Sequence, residues 1–289
     1  MTLPLGAELT SIRSPRVKAA RQLAKRALRQ QARQFLAEGP QAVGEALAAG
    51  GVVTQLFVTA AAQARYADLA GLAAGQGADV HAVSGEVMTE LAQTVTPQGV
   101  LAVCRFVDVR LDQLSAGSPG LALAVVLANV RDPGNAGTVL RTADAAGAGG
   151  VIFAGSSVDP YNSKCVRASA GSLFHLPVVT GPPVADAVRA LRDRGLRVLA
   201  ADGGAGTTLD DLQSAGRLSQ PTAWLFGNEA WGLPSDVLQL ADDAVAVPIY
   251  GRAESLNLAA AAAVCLYASA RAQVSPVRAG RPEANLTEL

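Results

Sequence analysis

The sequence predicts an α/β protein in which helices cover both faces of a parallel sheet. Two observations support this: six short apolar segments in the second half are typical of buried strands, and helical segments separate most of them. The predicted strands are residues 121–128, 151–154, 176–179, 196–201, 223–227 and 244–249. The predicted helices are residues 136–146, 163–169, 184–194, 234–240 and 255–271.

A smaller α/β/α unit is predicted before this sheet. Its strands are residues 52–58, 79–83 and 100–107, and its helices are residues 15–36, 63–73 and 85–92. Residues 111–120 are rich in Ser, Gly and Pro, which is typical of a linker. We therefore expect one domain over residues 1–110, a second over 121–272, and a disordered tail over 273–289.

Composition excludes several classes of protein. With 50% hydrophobic and 17% charged residues among 289, the chain can form a core and is not disordered. No apolar run approaches the length of about 20 residues that a membrane span needs, and the N-terminus lacks the features of a signal peptide. Three widely separated cysteines form no disulfide framework, so we expect a cytoplasmic protein without a metal site.

Charge is unevenly distributed along the chain. Lys+Arg and Asp+Glu both number 24, yet residues 9–37 contain eight basic residues and no acidic one. Within the predicted first helix, five cations recur at helical spacing: Lys18, Arg21, Lys25, Arg29 and Arg33. Such a stripe is either a solvated surface or a contact for nucleic-acid phosphates, and the absence of carboxylates favours the phosphate contact.

Three loops that follow predicted strands carry unusual polar residues. Ligands of parallel α/β sheets bind at the carboxyl ends of the strands. The residues of interest there are Asn135 and Arg141 in the first loop, Glu229 between Gly227 and Gly232 in the second, and Ser255 and Asn257 in the third. Four of them have a purely structural alternative: Asn135 or Ser255 can cap a helix, Arg141 can be a surface arginine, and Glu229 can be a turn residue. Capping by Ser255 does not account for Asn257.

Common catalytic motifs are missing. The chain has no dinucleotide-binding GxGxxG, no P-loop and no GxSxG nucleophile elbow. The three loops offer amide, hydroxyl, carboxylate and guanidinium groups only. This set fits a transfer reaction in which a cofactor supplies the reactive group.

Together the loops resemble the three motifs of the SpoU/TrmH branch of the SPOUT RNA methyltransferases. The matching segments are DPGNAGTVLRTADAAGAGGVIF, LFGNEAWGLP and VPIYGRAESLNLAAAAAV, in the family's order and spacing. The intervening YNSKCVRASAGSLFHLPV is also similar to the family's sequence between its first two motifs. More weakly, residues 11–107 resemble the ribosomal-protein-like substrate-binding domain of many members.

The resemblance implies a parallel-sheet SPOUT domain with a trefoil knot, a homodimer, and S-adenosylmethionine as cofactor. It places cofactor contacts on Gly227, Ile249 and Leu256. It places the polar active-site positions on Asn135, Arg141, Glu229, Ser255 and Asn257. Ala230 departs from the family, since many relatives have glycine there, and an alanine fits only if φ is not positive.

The implied reaction is methyl transfer to a ribose 2′-hydroxyl of RNA. The family's key residue is Arg141, but a free arginine has a pKa of about 12.5 or higher and is a poor base at neutral pH. We therefore hypothesise that Arg141 acts as a cation that holds a phosphate and stabilises developing alkoxide charge. Asn135 would orient Arg141 or the ribose, Ser255 and Asn257 would fix the third loop, and Glu229 would hold the arrangement together.

The substrate is expected to be a structured RNA, with ribosomal RNA favoured over transfer RNA. The cationic residues Lys18, Arg21, Lys25 and Arg29 would contact its phosphates. The alternative function is a non-catalytic RNA-binding or ribosome-assembly protein that retains the fold. A nucleotide-binding oxidoreductase is disfavoured because the phosphate fingerprint is missing.

Overall fold

The N-terminal part of the chain folds around a four-stranded sheet. In the computed structural model, which describes residues 7–114 and 122–274, the strands are β1 (Gln34–Glu38), β2 (Val53–Val58), β3 (Asp79–Ala82) and β4 (Val100–Arg105). The helices are α1 (Pro15–Gln22), α2 (Arg26–Ala32), α3 (Pro40–Ala48), α4 (Ala60–Arg65), α5 (Ala67–Gly75) and α6 (Gly85–Leu91). The strand order is β1-β4-β2-β3, in which β2 and β3 run parallel and the other two pairs run antiparallel.

Helices cover both faces of this sheet, as the sequence predicted. Side chains of α1 and α6 pack with Leu36 and Phe57 on one face. Side chains of α3 and α5 pack with Phe35 and Leu56 on the other. Neighbouring strand residues point to opposite faces, so each strand contributes to both layers.

The cationic N-terminal segment is not the single helix predicted over residues 15–36. A turn separates α1 from α2, and β1 follows α2 directly. The Arg29 guanidinium donates through Nη1 to the carbonyls of Leu23 (2.9 Å) and Ala24 (2.8 Å), which satisfies backbone acceptors at the turn. Phe35 is fully buried in β1. These tertiary interactions override the helical spacing of the cations.

A seven-stranded parallel sheet forms the second part of the protein. Its strands are β5 (Leu123–Ala128), β6 (Val151–Ala154), β7 (Val178–Thr180), β8 (Arg197–Ala201), β9 (Thr207–Thr208), β10 (Thr222–Phe226) and β11 (Asp243–Ala246). Its helices are α7 (Pro133–Ala145), α8 (Ser163–Ala168), α9 (Val184–Arg192), α10 (Leu209–Ser214), α11 (Ser235–Leu238) and α12 (Leu258–Gln273). The order β7-β6-β5-β10-β8-β11-β9 is parallel throughout, which confirms the predicted parallel sheet.

Helices cover this sheet on both faces as well. In β5, Val125 and Leu127 pack in the layer of α7, α8 and α12. Val126 and Ala128 pack in the opposite layer with α9 and α11. All four residues are buried, which explains why the strand is apolar throughout.

Several element boundaries differ from the prediction. The helix predicted over 63–73 is two helices, α4 and α5, and α12 begins at Leu258 rather than at residue 255. Strands β1 and β9 and helices α3 and α10 were not predicted. Of the predicted linker, Leu111–Gln113 is a short 3-10 helix, while residues 115–120 lie outside the described residues, as does residue 121 of the first strand predicted after it. So do residues 275–289 of the predicted tail.

The two sheets share a continuous interface. Tyr161 stacks on Phe106 at a ring-centroid distance of 3.8 Å and packs against the tilted ring of Phe35 at 4.7 Å. Beside them a buried ion pair joins Arg29 to Asp159, with Nη2 and Oδ2 2.7 Å apart and both side chains at most 4% exposed. This interface fixes α2 of the first part against the connection after β6.

Candidate active site

A cavity of about 510 Å³ lies at the carboxyl ends of three neighbouring strands of the second sheet. Residues after β8, β10 and β11 line it, as expected for a ligand site of a parallel α/β sheet. The three predicted cofactor residues, Gly227, Ile249 and Leu256, are all among the lining residues. Asp202 and Gly203 after β8 also line the cavity, although no sequence motif marked them.

The loop after β10 is a tight hairpin. The backbones of Asn228 and Gly232 exchange two hydrogen bonds, of 3.0 and 2.9 Å. A Cβ on Gly227 would lie 2.5 Å from the Gly232 backbone, so only glycine allows this approach. Ala230 is not at a positive φ, so alanine is compatible with the backbone at this position.

Glu229, at the tip of this hairpin, binds the start of the first loop. Its carboxylate accepts hydrogen bonds from the backbone N–H groups of Arg131 (3.4 Å) and Asp132 (3.2 Å). It also accepts one from the side-chain amide of Asn135 (3.3 Å). Glu229 is therefore a tether between two loops rather than a simple turn residue.

Asn135 links this tether to the third loop. Its Oδ1 accepts a hydrogen bond of 3.1 Å from Nδ2 of Asn257. Asn257 in turn caps α12, because its Oδ1 accepts from the backbone N–H of Ala259 at 2.9 Å. The structure thus joins Glu229, Asn135 and Asn257 in one hydrogen-bonded chain across the three predicted loops.

Two capping assignments from the sequence are corrected. Asp132, not Asn135, caps α7, and its carboxylate accepts from the backbone N–H of Asn135 at 2.7 Å. Asn257 rather than Ser255 caps α12. Ser255 lines the cavity and makes no hydrogen bond within the described residues.

Asp132 is a site residue that sequence reasoning missed. The hydrogen bond from Lys164 lowers the pKa of its carboxyl group, and the backbone N–H of Asn135 lowers this pKa further. Lys164 Nζ lies 2.7 Å from the Asp132 carboxylate. An Asp followed by a Pro at the start of a helix is a recognised N-cap pattern, and this signal could have identified the residue.

Arg141 is separate from the hydrogen-bonded chain. It is exposed on α7, and its side chain forms no hydrogen bond or ion pair within residues 7–114 and 122–274. Its guanidinium is therefore free to bind an anion. Hydrogen bonds join three of the five predicted polar residues, Ser255 lines the same cavity without such a bond, and Arg141 is not among the residues that line it.

The predicted RNA-contacting cations divide into two groups. Lys18, Arg21 and Lys25 are exposed, and Arg21 pairs with Glu90. Arg29 is only 4% exposed and its guanidinium is occupied by Asp159 and two carbonyls. An RNA phosphate cannot reach it, so its prediction as an RNA contact was wrong.

The site offers few groups for other chemistry. Cys104, Cys165 and Cys265 are buried, and burial raises the pKa of each thiol. Among the described residues, no cluster of three His, Cys, Asp or Glu is suited to hold a metal ion. No helix within those same ranges has the length and hydropathy that crossing a membrane would require.

Comparison with known proteins identifies two regions of the chain. Residues 122–267 match the model of the SpoU rRNA Methylase family. Residues 14–102 match an MRM3-like substrate binding domain. The first match contains all three site loops, and the second contains β1, β2 and β3 and ends within β4.

Similar proteins cover almost the whole chain. An uncharacterised tRNA/rRNA methyltransferase of Synechocystis sp. is 37% identical over 92% of this chain and 94% of its own length. The 23S rRNA (guanosine(2553)-2′-O)-methyltransferase RlmP of Bacillus subtilis is 32% identical over 90% and 98%. A crystal structure of an AdoMet-bound rRNA methyltransferase from Sinorhizobium meliloti superposes with a TM-score of 0.81 at 33% identity, covering 93% and 99%. Together with the loop geometry, these matches show that the chain belongs to the SpoU rRNA methylase family.

Proposed function

We propose that this protein transfers the methyl group of S-adenosylmethionine to a ribose 2′-hydroxyl of ribosomal RNA. The proposal rests on the hydrogen bonds that link Glu229 to Asn135 and Asn135 to Asn257. These bonds join three loops beside a cavity of about 510 Å³. Relatives named as 23S rRNA 2′-O-methyltransferases support the reaction and the substrate. Structures of AdoMet-bound family members support the cofactor.

The cavity fits S-adenosylmethionine. Ile249 and Leu256 expose 38% and 39% of their surfaces and line the cavity, so apolar walls are available for an aromatic base. The hairpin at Gly227 and Gly232 brings backbone polar groups to the same wall. When bound there, the sulfonium cofactor supplies an activated methyl group, and the protein's task is to align the acceptor oxygen and help remove its proton.

Arg141 supplies positive charge for the acceptor. Because no carboxylate of the described residues neutralises its guanidinium, it can hold a phosphate and stabilise negative charge as it develops on the 2′-oxygen. The tether of Glu229 and Asn135 fixes the N-terminal end of α7, the helix that also carries Arg141. The hydrogen bonds among Glu229, Asn135 and Asn257 therefore contribute to the reaction by holding this helix in place.

The exposed cations Lys18, Arg21 and Lys25 contact the RNA backbone. They lie in a region similar to a substrate-binding domain. Phosphate contacts of this kind give affinity that falls as salt rises. Neutralising these three residues is expected to weaken RNA binding and to flatten its salt dependence, while the affinity for S-adenosylmethionine stays unchanged.

The active form is a homodimer with a trefoil-knotted second domain. In support of the dimer, α12 exposes Val264 and Tyr267 at 43% and 47%, and Val274 directly after it at 60%. These residues recur at helical spacing and form an apolar face that a second copy can cover. The knot follows from the family resemblance and stays a prediction.

The alternative is an RNA-binding or ribosome-assembly protein without catalytic activity. Isothermal titration calorimetry with S-adenosylmethionine, followed by transfer of its labelled methyl group to unmodified ribosomal RNA, separates the two. We expect binding and a product whose modified nucleotide resists alkaline cleavage on its 3′ side, because the 2′-oxygen is blocked. RNA binding without cofactor binding or transfer would instead establish the alternative.

A further inference from the structure

Trp231 is a large aromatic residue that is exposed beside the active site. It lies in the hairpin after β10, two residues from Glu229, and 56% of its surface is accessible. The chain has one other tryptophan, Trp224, which is fully buried and donates through Nε1 to Ser269. A buried indole contributes to the core, whereas an exposed one beside a cleft indicates a binding surface.

The backbone holds Trp231 in a fixed position. It directly precedes Gly232, which exchanges two backbone hydrogen bonds with Asn228. The Asn228 side chain is buried, accepts from the backbone N–H of Ala230 at 2.9 Å and donates to the carbonyl of Asn129 at 2.9 Å. The hairpin is therefore rigid, and the indole is displayed at low cost in conformational entropy.

Arg131 lies over the indole. The carbon at the centre of its guanidinium is 5.2 Å from the Trp231 ring centroid, within the range of a cation–π interaction. Its backbone N–H donates to Glu229, so the carboxylate that joins the loops also sets the position of this cation. Within the described residues, the Arg131 guanidinium forms no ion pair with a carboxylate.

This pair lies outside the cavity assigned to the cofactor. Gly227, Glu229, Ala230 and Gly232 line that cavity, but Trp231 between them does not. Its indole and the Arg131 guanidinium are thus available to a different ligand next to the same loops. A flat aromatic surface with an unneutralised cation matches a nucleotide, which offers a base for stacking and a phosphate for the arginine.

We infer that Trp231 and Arg131 bind an unpaired RNA nucleotide beside the reaction centre, with the base against the indole and the phosphate on the guanidinium. This inference rests on the proposed function. It adds that the substrate region is single-stranded where it meets the enzyme, because a base must leave its helical stack to reach the indole. A second copy of the chain could cover the indole instead. Packing against the indole would not by itself neutralise the charge of the Arg131 guanidinium.

Tryptophan fluorescence tests the contact directly. With one buried and one exposed tryptophan, stacking of a base on Trp231 is expected to quench the exposed component when unmodified large-subunit ribosomal RNA is added. The Trp231→Phe variant is the matched control, since it retains the buried Trp224 and should show no quenching. Equal quenching in both proteins would overturn the inference.

Kinetics test whether the contact serves the reaction. Trp231→Ala is expected to raise the KM for RNA by about tenfold or more, and Trp231→Phe to recover most of this loss because it restores a stacking surface. Arg131→Ala should weaken RNA binding. It should also reduce the slope of log affinity against log salt concentration by about one, as expected for the loss of one phosphate contact. The affinity for S-adenosylmethionine, measured by calorimetry, should stay unchanged in all three variants.

The outcomes separate this inference from the proposed function. If the wild-type protein transfers no methyl group, the proposed function fails. If it does, and Trp231→Ala has a wild-type KM, the inference fails alone. A shift of Trp231→Ala from dimer to monomer in analytical ultracentrifugation would also overturn it, because a second copy would then cover the indole.

Discussion

Asn257 Nδ2 donates to Asn135 Oδ1 at 3.1 Å, although the two residues lie 122 positions apart in the chain. Asn135 lies in the first turn of α7, and Asn257 caps α12. The bond therefore fixes the N-terminal ends of two helices against each other. Glu229 extends the connection to a third loop, so the geometry of the whole site depends on side-chain hydrogen bonds between distant segments.

Glu229→Gln is expected to disturb this connection without unfolding the protein. The carboxylate accepts from two backbone N–H groups and from Asn135, whereas a glutamine offers one oxygen and brings an N–H group toward these donors. We expect kcat for methyl transfer to fall by about 10- to 100-fold, with a change in cofactor affinity of less than about threefold. If the variant shows the wild-type rate constant for methyl transfer in single-turnover assays, the tether has no role in the reaction.

Arg141 is expected to act through its charge. Arg141→Ala should lower kcat by about 100- to 1,000-fold, as for loss of a group that stabilises an oxyanion. Arg141→Lys keeps a cation and should retain appreciable activity, because the exposed guanidinium makes no fixed hydrogen bonds that a lysine would lose. If the lysine variant is as inactive as the alanine variant, the electrostatic role is wrong.

Arg29 and Lys25 offer a matched comparison of a buried and an exposed cation. Arg29→Met leaves the buried carboxylate of Asp159 unpaired and should lower the free energy of unfolding by about 3–5 kcal/mol. Lys25→Met should change stability by less than about 0.5 kcal/mol but reduce the salt dependence of RNA binding.

Denaturant unfolding measures the stability of both variants. The double variant Arg29→Met/Asp159→Asn should recover part of the lost stability, because an amide at position 159 leaves no unpaired charge buried in the protein. A stable Arg29→Met protein with weakened RNA binding would restore Arg29 as an RNA contact and contradict the structure.

His175 makes the stability of the interface between the two sheets depend on pH. A hydrogen bond to Asp144 on α7 (2.7 Å) raises the pKa of the imidazole most, and a second one to Glu45 on α3 (3.1 Å) raises it further. A raised pKa means that the folded state binds the proton more tightly than the unfolded state. The stabilisation by the protonated imidazole is therefore complete below the pKa of the unfolded state, about 6.5. It is lost as the pH rises through the higher pKa of the folded state.

Thermal unfolding of wild type and His175→Gln at two pH values tests this sign. The wild type should be more stable than the variant at pH 6, and the difference should shrink at pH 9. The same difference at both pH values would mean that the protonated imidazole contributes nothing to this interface. His175 is substantially exposed, so we expect the effect to be small and to weaken further in high salt.

Much of the second domain could be predicted from the sequence. Its buried strands are continuous apolar runs, and β6 was predicted with its observed bounds, Val151–Ala154. The rule that ligands bind at the carboxyl ends of parallel strands then located all three site loops. The polar residues Asn135, Glu229 and Asn257 were found in this way, and the structure joins them through hydrogen bonds.

Contacts between distant residues outside these three loops could not be predicted. The spacing of the N-terminal cations is helical, and nothing near Arg29 in the sequence indicates that Asp159, 130 residues away, buries its guanidinium. Strand β1 was missed for the same reason, because burial of Phe35 against Tyr161 depends on the second domain. Trp231 was not selected from the sequence, since exposure of an aromatic residue is a property of the folded chain.

The central claim is that this protein methylates a ribose 2′-oxygen in ribosomal RNA. The most direct measurement is a map of 2′-O-methyl groups in ribosomal RNA from three strains: one with the intact gene, one without it, and one carrying the Arg141→Ala gene in its place. We predict a methylated nucleotide that is present in the first strain and is lost in the other two. Identical maps in all three strains would contradict the account.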